Sequence, residues 1–164
     1  MDIFTIGHST LTKEAFIQLL HDAKIDLLID ARAFPGSRKY PHFHKDCMKE
    51  WLPDANIKYR HIKELGGRRN KSKVIDEEVN AGWINRSFHN YADYTLESEF
   101  QDGLKQLKEA ATEQKVAYCC SERHPARCHR MLISNWLALH DWHVRHILVG
   151  AKGQTVIETH ELRK

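Results

Sequence analysis

The chain has 164 residues, of which 41% are apolar and 29% charged, so it fits one compact domain and wholesale disorder is excluded. Its uninterrupted apolar runs span only a few residues, which is too short for a transmembrane helix. Its first residues lack the basic lead and long apolar stretch of a secretory signal. We therefore expect a cytoplasmic protein without membrane contact, in which the four cysteines are reduced.

The formal net charge of +3 is unevenly distributed along the chain. Residues 32–73 carry a net charge of +8, whereas residues 74–118 carry −5. A basic segment of this density predicts an anionic partner, which could be a small molecule or a nucleic acid. The alternative is a solvated basic face without a partner.

The first half of the chain alternates between strand and helix patterns. Short apolar runs that end in turn residues predict strands at 3–6, 25–29 and 57–59. Apolar residues at helical spacing predict one helix that begins after Thr12 and a second helix over 43–51. We expect Pro53 to end the second helix.

The second half continues the alternation. Its predicted strands span 115–120, 144–149 and, as a short terminal strand, 155–158. Helical spacing predicts helices over 96–111 and 128–140, and the polar residues 70–90 predict a long loop that could act as a lid. The whole pattern predicts a single α/β domain over 1–164, a layered fold with a largely parallel sheet of about five strands flanked by helices.

Polar residues follow the predicted strands at the points where they end. They are His8 and Ser9, Asp30 and Arg32, Arg60 and His61, and Cys120 and Glu122. Ligands of parallel sheets bind beyond the carboxyl ends of the strands. We therefore expect these side chains to converge on one edge of the sheet and to form a site there.

Four short motifs at or near these positions follow one another along the chain. They are Thr5-Ile6-Gly7-His8-Ser9, Asp30-Ala31-Arg32 with Pro35, Ser37 and Arg38, Leu65-Gly66-Gly67-Arg68, and Cys120-Ser121-Glu122 with Pro125 and Cys128-His129-Arg130. In this order they resemble the domain-of-unknown-function family 488, a group of small, mostly bacterial proteins. The family commonly has an aliphatic residue or Met where Cys119 stands, which implies that Cys119 is a core residue. The resemblance implies a fold and a site but leaves the reaction open.

Arginines are the strongest candidates for anion binding, because a guanidinium stays charged and binds phosphate bidentately. Arg32, Arg38 and Arg68 are the main candidates, and Gly67 would let backbone N–H groups approach the same anion. His8 and Ser9 form a possible hydrogen-bonding pair at the site, although Ser9 could instead cap the following helix. The motif positions add further ligand-binding candidates, namely Ser37, His129 and Arg130.

Cys120 has three possible roles. The arginines that follow it would favour a nucleophilic thiolate, but free cysteines are more often small buried hydrophobes. The third role is a ligand of a metal held by Cys120, Cys128 and His129, with Cys119 or His124. Adjacent residues such as Cys128 and His129 point to different sides of a helix, which disfavours it. We therefore assign no metal site.

Asp30 and Glu122 each have two readings. Either carboxylate could act as a general acid or base, and with Cys120 they form the candidate catalytic set. Alternatively, each could hold an arginine, such as Arg32 or Arg130, in a buried network.

We expect an enzyme that acts on a phosphate-bearing small molecule, a nucleotide or a nucleic acid at an arginine-lined site. Two alternatives stay open, a nucleic-acid-binding module without catalysis and a redox- or metal-responsive protein that uses Cys120 and Cys128. The sequence identifies no cofactor and no oligomeric state.

Overall fold

The computed structural model describes residues 1–33, 35–36, 39–67, 86–123, 125 and 129–161, with the backbone alone at 86–88. Within these residues the chain forms one six-stranded sheet with helices on both faces. This confirms the predicted α/β fold with a mainly parallel sheet.

The strands occupy six short segments that alternate with the helices up to the last hairpin. They are β1 (Asp2–Gly7), β2 (Leu27–Asp30), β3 (Lys58–His61), β4 (Val116–Cys120), β5 (His143–Val149) and β6 (Thr155–Thr159). β1, β2 and β4 consist almost entirely of buried residues, as expected for strands covered on both faces.

The α-helices connect these strands. They are α1 (Lys13–Asp22), α2 (Lys45–Asp54), α3 (Arg86–Tyr94), α4 (Ser98–Glu113) and α5 (Arg130–Leu139). Thr12 caps α1 as predicted, because its side-chain oxygen accepts a hydrogen bond from the Ala15 amide at 3.0 Å. None of the described helices is both long and apolar enough to cross a bilayer.

The strand order is β3-β2-β4-β1-β5-β6, with β1 to β5 parallel and β6 antiparallel to β5. From β1 the chain crosses past β4 to reach β2, and from β4 it crosses past β1 to reach β5. The two connections leave the neighbouring strands β1 and β4 in opposite directions. The carboxyl ends of β1 and β4 therefore form the topological switch point, where ligands of open α/β sheets bind.

Two hydrophobic cores lie on the two faces of the sheet. The core under α1 and α2 contains Phe16 and Leu20, and we call its side the front face. The core under α3, α4 and α5 contains Phe100, Leu104 and Ile133, and its side is the back face. The switch point is therefore supported by packed helices from both sides.

Two predictions about the elements are wrong in detail. α2 continues through Pro53 to Asp54, because Pro53 lies in the last turn, where its fixed φ is helical and only one hydrogen bond is lost. Residues 86–90, predicted to belong to the long loop, are helical and begin α3. The remainder of that predicted loop, 70–85, lies outside the described residues.

Substitution of Gly7 tests the close contact at the switch point. A Cβ atom at Gly7 would overlap the backbone carbonyl oxygen of Glu122 and lie 3.1 Å from Arg130 Nη2. Backbone atoms cannot move aside cheaply, so we expect Gly7→Ala to lower the free energy of unfolding by about 2 kcal/mol or more in urea denaturation.

Gly36→Ala is the matched control, since its Cβ would lie 3.5 Å from the His44 ring, an ordinary contact. Equal stability of the two variants would contradict the close approach at Gly7.

Candidate functional site

A buried ion pair stands at the carboxyl end of β2. The Arg32 guanidinium donates from Nε to Asp30 Oδ1 at 2.9 Å and from Nη2 to Asp30 Oδ2 at 2.7 Å. The Asp30 side chain is fully buried and that of Arg32 is 8% exposed. Burial would lower the pKa of Arg32, but the hydrogen bonds to Asp30 and its charge outweigh burial and raise it. Of the two readings of Asp30, the geometry therefore matches the one in which it holds an arginine.

Neighbouring elements complete the environment of Asp30. The Tyr59 hydroxyl, on β3, donates to Asp30 Oδ2 at 2.6 Å. Burial and the Asp30 charge together raise the pKa of Tyr59, so this hydroxyl remains a neutral donor. Cys119 is fully buried beside them on β4, and burial raises the pKa of its thiol. Its position in the core confirms what the resemblance implied.

His8 contacts the same guanidinium from the end of β1. Its Nε2 lies 3.3 Å from Arg32 Nη1 and its Nδ1 lies 3.0 Å from the Ser9 carbonyl oxygen, while its ring stacks on Phe43. Because Arg32 can only donate, Nε2 is the acceptor and Nδ1 carries the proton. Burial, followed by the charge of Arg32, lowers the pKa of His8 to about 4. His8 is therefore uncharged at neutral pH and orients Arg32.

The loops after β1 and β4 run side by side beyond the sheet. The His8 amide donates to the Cys120 carbonyl at 3.0 Å, and the Ser9 amide donates to the Ser121 carbonyl at 2.9 Å. Ser9 adopts a φ of 45°, so the chain turns sharply before α1. Glu122 is exposed at this rim. We call the rim formed by the ends of β1 and β4 and their following loops the strand junction.

A second buried arginine approaches the strand junction from the back face. Arg130, the first residue of α5, is fully buried. Its Nη2 donates to the carbonyl oxygens of Glu122 at 3.0 Å and Arg123 at 3.2 Å, and its Nη1 donates to Thr5 Oγ1 at 3.3 Å. Burial lowers the pKa of Arg130 to about 10, so it remains a cation at neutral pH.

A hydrogen-bonded chain leads from Arg130 away from the junction. Thr5 Oγ1 lies 2.6 Å from His146 Nδ1, His146 Nε2 lies 2.8 Å from His160 Nδ1, and His160 Nε2 lies 2.8 Å from Asn135 Oδ1. Since Thr5 accepts from Arg130, its single proton is directed to His146. If both imidazoles are neutral, His146 Nε2 then donates to His160 Nδ1, and His160 Nε2 donates to Asn135 Oδ1. These bonds connect β5, the residue after β6 and α5 to Thr5, which accepts from Arg130.

His129 and Gly67 bring two further motifs to the same edge. His129 Nε2 lies 2.8 Å from the Ala31 carbonyl oxygen, and its ring lies 5.0 Å from that of Tyr91. A Cβ at Gly67 would lie 2.9 Å from His129 Nδ1, so the glycine permits this close packing. His61 Nε2 likewise lies 2.7 Å from the Arg32 carbonyl oxygen. These contacts fix the chain that follows β2.

The structure thus brings most described candidates to one edge and leaves others undescribed. Those at the edge are His8, Ser9, Asp30, Arg32, Gly67, Cys120, Glu122, His129 and Arg130. Arg60 is exposed on β3 and makes none of these contacts. Ser37, Arg38, Arg68 and Cys128 lie outside the described residues. The roles predicted for all of them stay predictions.

Cys120 is buried and disulfide-bonded, whereas Cys47 and Cys119 are free. The expectation that all four cysteines are reduced therefore fails for Cys120. A thiolate nucleophile at this position requires prior reduction of that bond. Within the described residues, no group of three or more His, Cys, Asp and Glu side chains is arranged to hold a metal ion.

Two site residues, Tyr59 and His146, escaped the sequence analysis, and Thr5 entered it only as part of a motif. All three lie inside strands, where a polar side chain in an apolar run is the local signal. Their roles depend on the neighbouring strand. Tyr59 on β3 is in register with Leu28 on β2, and this pairing brings its hydroxyl within reach of Asp30, two residues further along β2. Strand order, which spacing along the chain does not reveal, was needed to place them.

A comparison with known protein families finds a match over most of the chain. A family model described as "Domain of unknown function DUF488" matches residues 12–137. The matched range includes the motifs that contain Asp30, Gly67 and Cys120 but begins after His8 and Ser9. Neither the curated proteins nor the solved structures include a match to this chain.

The lowered pKa of His8 predicts a specific dependence of stability on pH. Between pH 6.5 and about 4 the unfolded chain protonates His8 whereas the folded protein does not, so stability decreases as the pH falls through this window. His8 should contribute up to about 1.4 kcal/mol per pH unit to the slope of the unfolding free energy in urea denaturation.

The His8→Gln variant should show a shallower slope than the wild type. Gln106→Ala, which changes an exposed residue without a titratable group on α4, should leave the slope unchanged. A slope in His8→Gln as steep as that of the wild type would show that His8 is not held neutral.

Proposed function

The chain belongs to the DUF488 family, and we propose that it is an enzyme that acts on a phosphate-bearing small molecule, a nucleotide or a nucleic acid at the strand junction. The observation that carries this proposal is the approach of two buried guanidinium groups to the same junction from opposite faces. Arg32 contacts His8 on the front face, and Arg130 lies against Gly7 on the back face.

Positive groups gather at this rim. Arg130 donates to a hydroxyl group and two backbone carbonyls there, and the exposed Arg123 adds a second cation. Charges at a poorly solvated site act more strongly than charges in bulk water. α1 and α5 follow β1 and β4, so their amino-terminal ends lie on the junction side and add positive potential. The junction thereby favours a phosphate group.

Exposed side chains at the rim would contact the substrate directly. In this proposal the Arg123 guanidinium binds the phosphate, and the buried Arg32 and Arg130 position the loops and supply a positive field. Glu122, which is exposed at the same rim, acts as general acid or base at the reacting atom. Burial lowers the pKa of Arg130 and the Glu122 charge opposes that shift, which supports a location of Glu122 close to the buried cation.

A redox-responsive protein is the second candidate function. The observation in its favour is that Cys120 is disulfide-bonded at the end of β4, one residue before the junction loop. Its reduction would release the constraint on that loop and free the thiol. If redox state controls the protein, binding of inorganic phosphate should differ between oxidised and reduced protein, whereas a constant affinity would reject this candidate.

The enzyme proposal is tested with rim variants that leave the core intact. The wild type is incubated with nucleoside monophosphates, sugar phosphates and short oligonucleotides, and their consumption is followed by mass spectrometry. For any substrate that is turned over, we expect Glu122→Gln to lower the rate about 100-fold or more, with the affinity for inorganic phosphate unchanged. Arg123→Gln should weaken phosphate binding instead.

Glu50→Gln and Arg60→Gln are the matched controls, because both replace exposed charges away from the junction. Full turnover in Glu122→Gln together with full affinity in Arg123→Gln would reject the site. If no substrate is consumed and oligonucleotide binding falls steeply with salt, the protein is a nucleic-acid-binding module.

A further inference from the structure

A small cleft opens beside the strand junction on the front face, between the loop after β1, α1 and the end of β5. Its volume is about 120 Å³. The side chains of Leu11, Leu19, Arg123, Ile147 and Val149 contribute to its lining. Of these side chains, only that of Arg123 takes part in the proposed function.

The lining of the cleft is mainly aliphatic. Leu19 and Ile147 are buried parts of the front core, and Leu11 and Val149 pack against the same core. Arg123 adds a cation, and its Nη2 donates to the Val149 carbonyl oxygen at 3.2 Å. A guanidinium carries five N–H donors, so the hydrogen bond to Val149 leaves further N–H groups of Arg123 that can bind an anion. The cleft thus combines an apolar wall with a positive group.

The cleft and the strand junction are continuous. Gly7 and Ser9 border both, and the Arg123 backbone carbonyl accepts a hydrogen bond from Arg130 while the Arg123 side chain lines the cleft. A ligand whose phosphate occupies the junction can therefore place its next few atoms against Leu11 and Leu19.

The volume limits what those atoms can be. An apolar cavity of about 150 Å³ accommodates one benzene molecule, so a cleft of about 120 Å³ encloses a short alkyl chain or a single small ring. A fused two-ring base would exceed it. The aliphatic walls offer dispersion contacts and no aromatic face for stacking.

We propose that this cleft binds the apolar part of the substrate, which is an organic phosphate with a compact aliphatic or single-ring group next to its phosphate. The inference rests on the proposed function, because it assigns the substrate class of the same site. It favours small organic phosphates over purine nucleotides and polynucleotides.

Isothermal titration with n-butyl phosphate and with inorganic phosphate tests the inference. Burial of the butyl group should make n-butyl phosphate bind about tenfold or more tightly. Leu11→Trp, which fills the cleft, should reduce that affinity to the level of inorganic phosphate. Leu96→Trp, at an exposed leucine outside the cleft, should retain the difference. Equal affinities of the wild type for the two phosphates would overturn the inference and leave the phosphate site intact.

Methyl NMR of the wild type gives a readout that does not depend on any variant. n-Butyl phosphate should shift the methyl signals of Leu11, Leu19, Ile147 and Val149, whereas shifts confined to other methyl groups would overturn the inference. If n-butanol shifts these four and inorganic phosphate does not bind, the cleft is confirmed as an apolar subsite and the proposed phosphate site is rejected.

Discussion

A guanidinium group buried at the end of β2 requires a nearby counter-charge, and Asp30 supplies it through two parallel hydrogen bonds to Arg32. Removing one partner of such a pair leaves an uncompensated buried charge, which typically costs about 3–5 kcal/mol. Tyr59 on β3 and His8 after β1 complete the pair's environment, and Arg32 Nη2 also contacts the Met48 sulfur on α2 at 3.3 Å. The ion pair thereby ties four elements to one edge of the sheet.

Close backbone approach is the second constraint on this edge. Gly7 allows the loop after β4 to lie directly against β1, and Arg130 donates to the carbonyl oxygens of that loop from the back face. Thr5 and His146 extend the support of Arg130 into the back face. The buried residues therefore hold the rim in place, which leaves exposed side chains such as Glu122 to meet a ligand.

Much of this arrangement could be predicted from the sequence, because strand endings and parallel pairing together imply a common rim. Periodicity identified the strands, and the rule for parallel sheets brought His8, Asp30 and Glu122 together. The cross-strand partners could not be predicted, since Tyr59 meets Asp30 only through the order β3-β2-β4. The prediction that Pro53 ends α2 was wrong, because a proline is tolerated in the last turn of a helix.

The central claim is that the strand junction binds phosphate, and amide NMR during titration with inorganic phosphate tests it most directly. At constant ionic strength, the account predicts the largest shifts at the amides of Ser9, Ser121, Glu122 and Arg123. Shifts confined to the exposed basic edge at Lys58 and Arg60, or no shifts beyond those caused by an equal concentration of chloride, would contradict it.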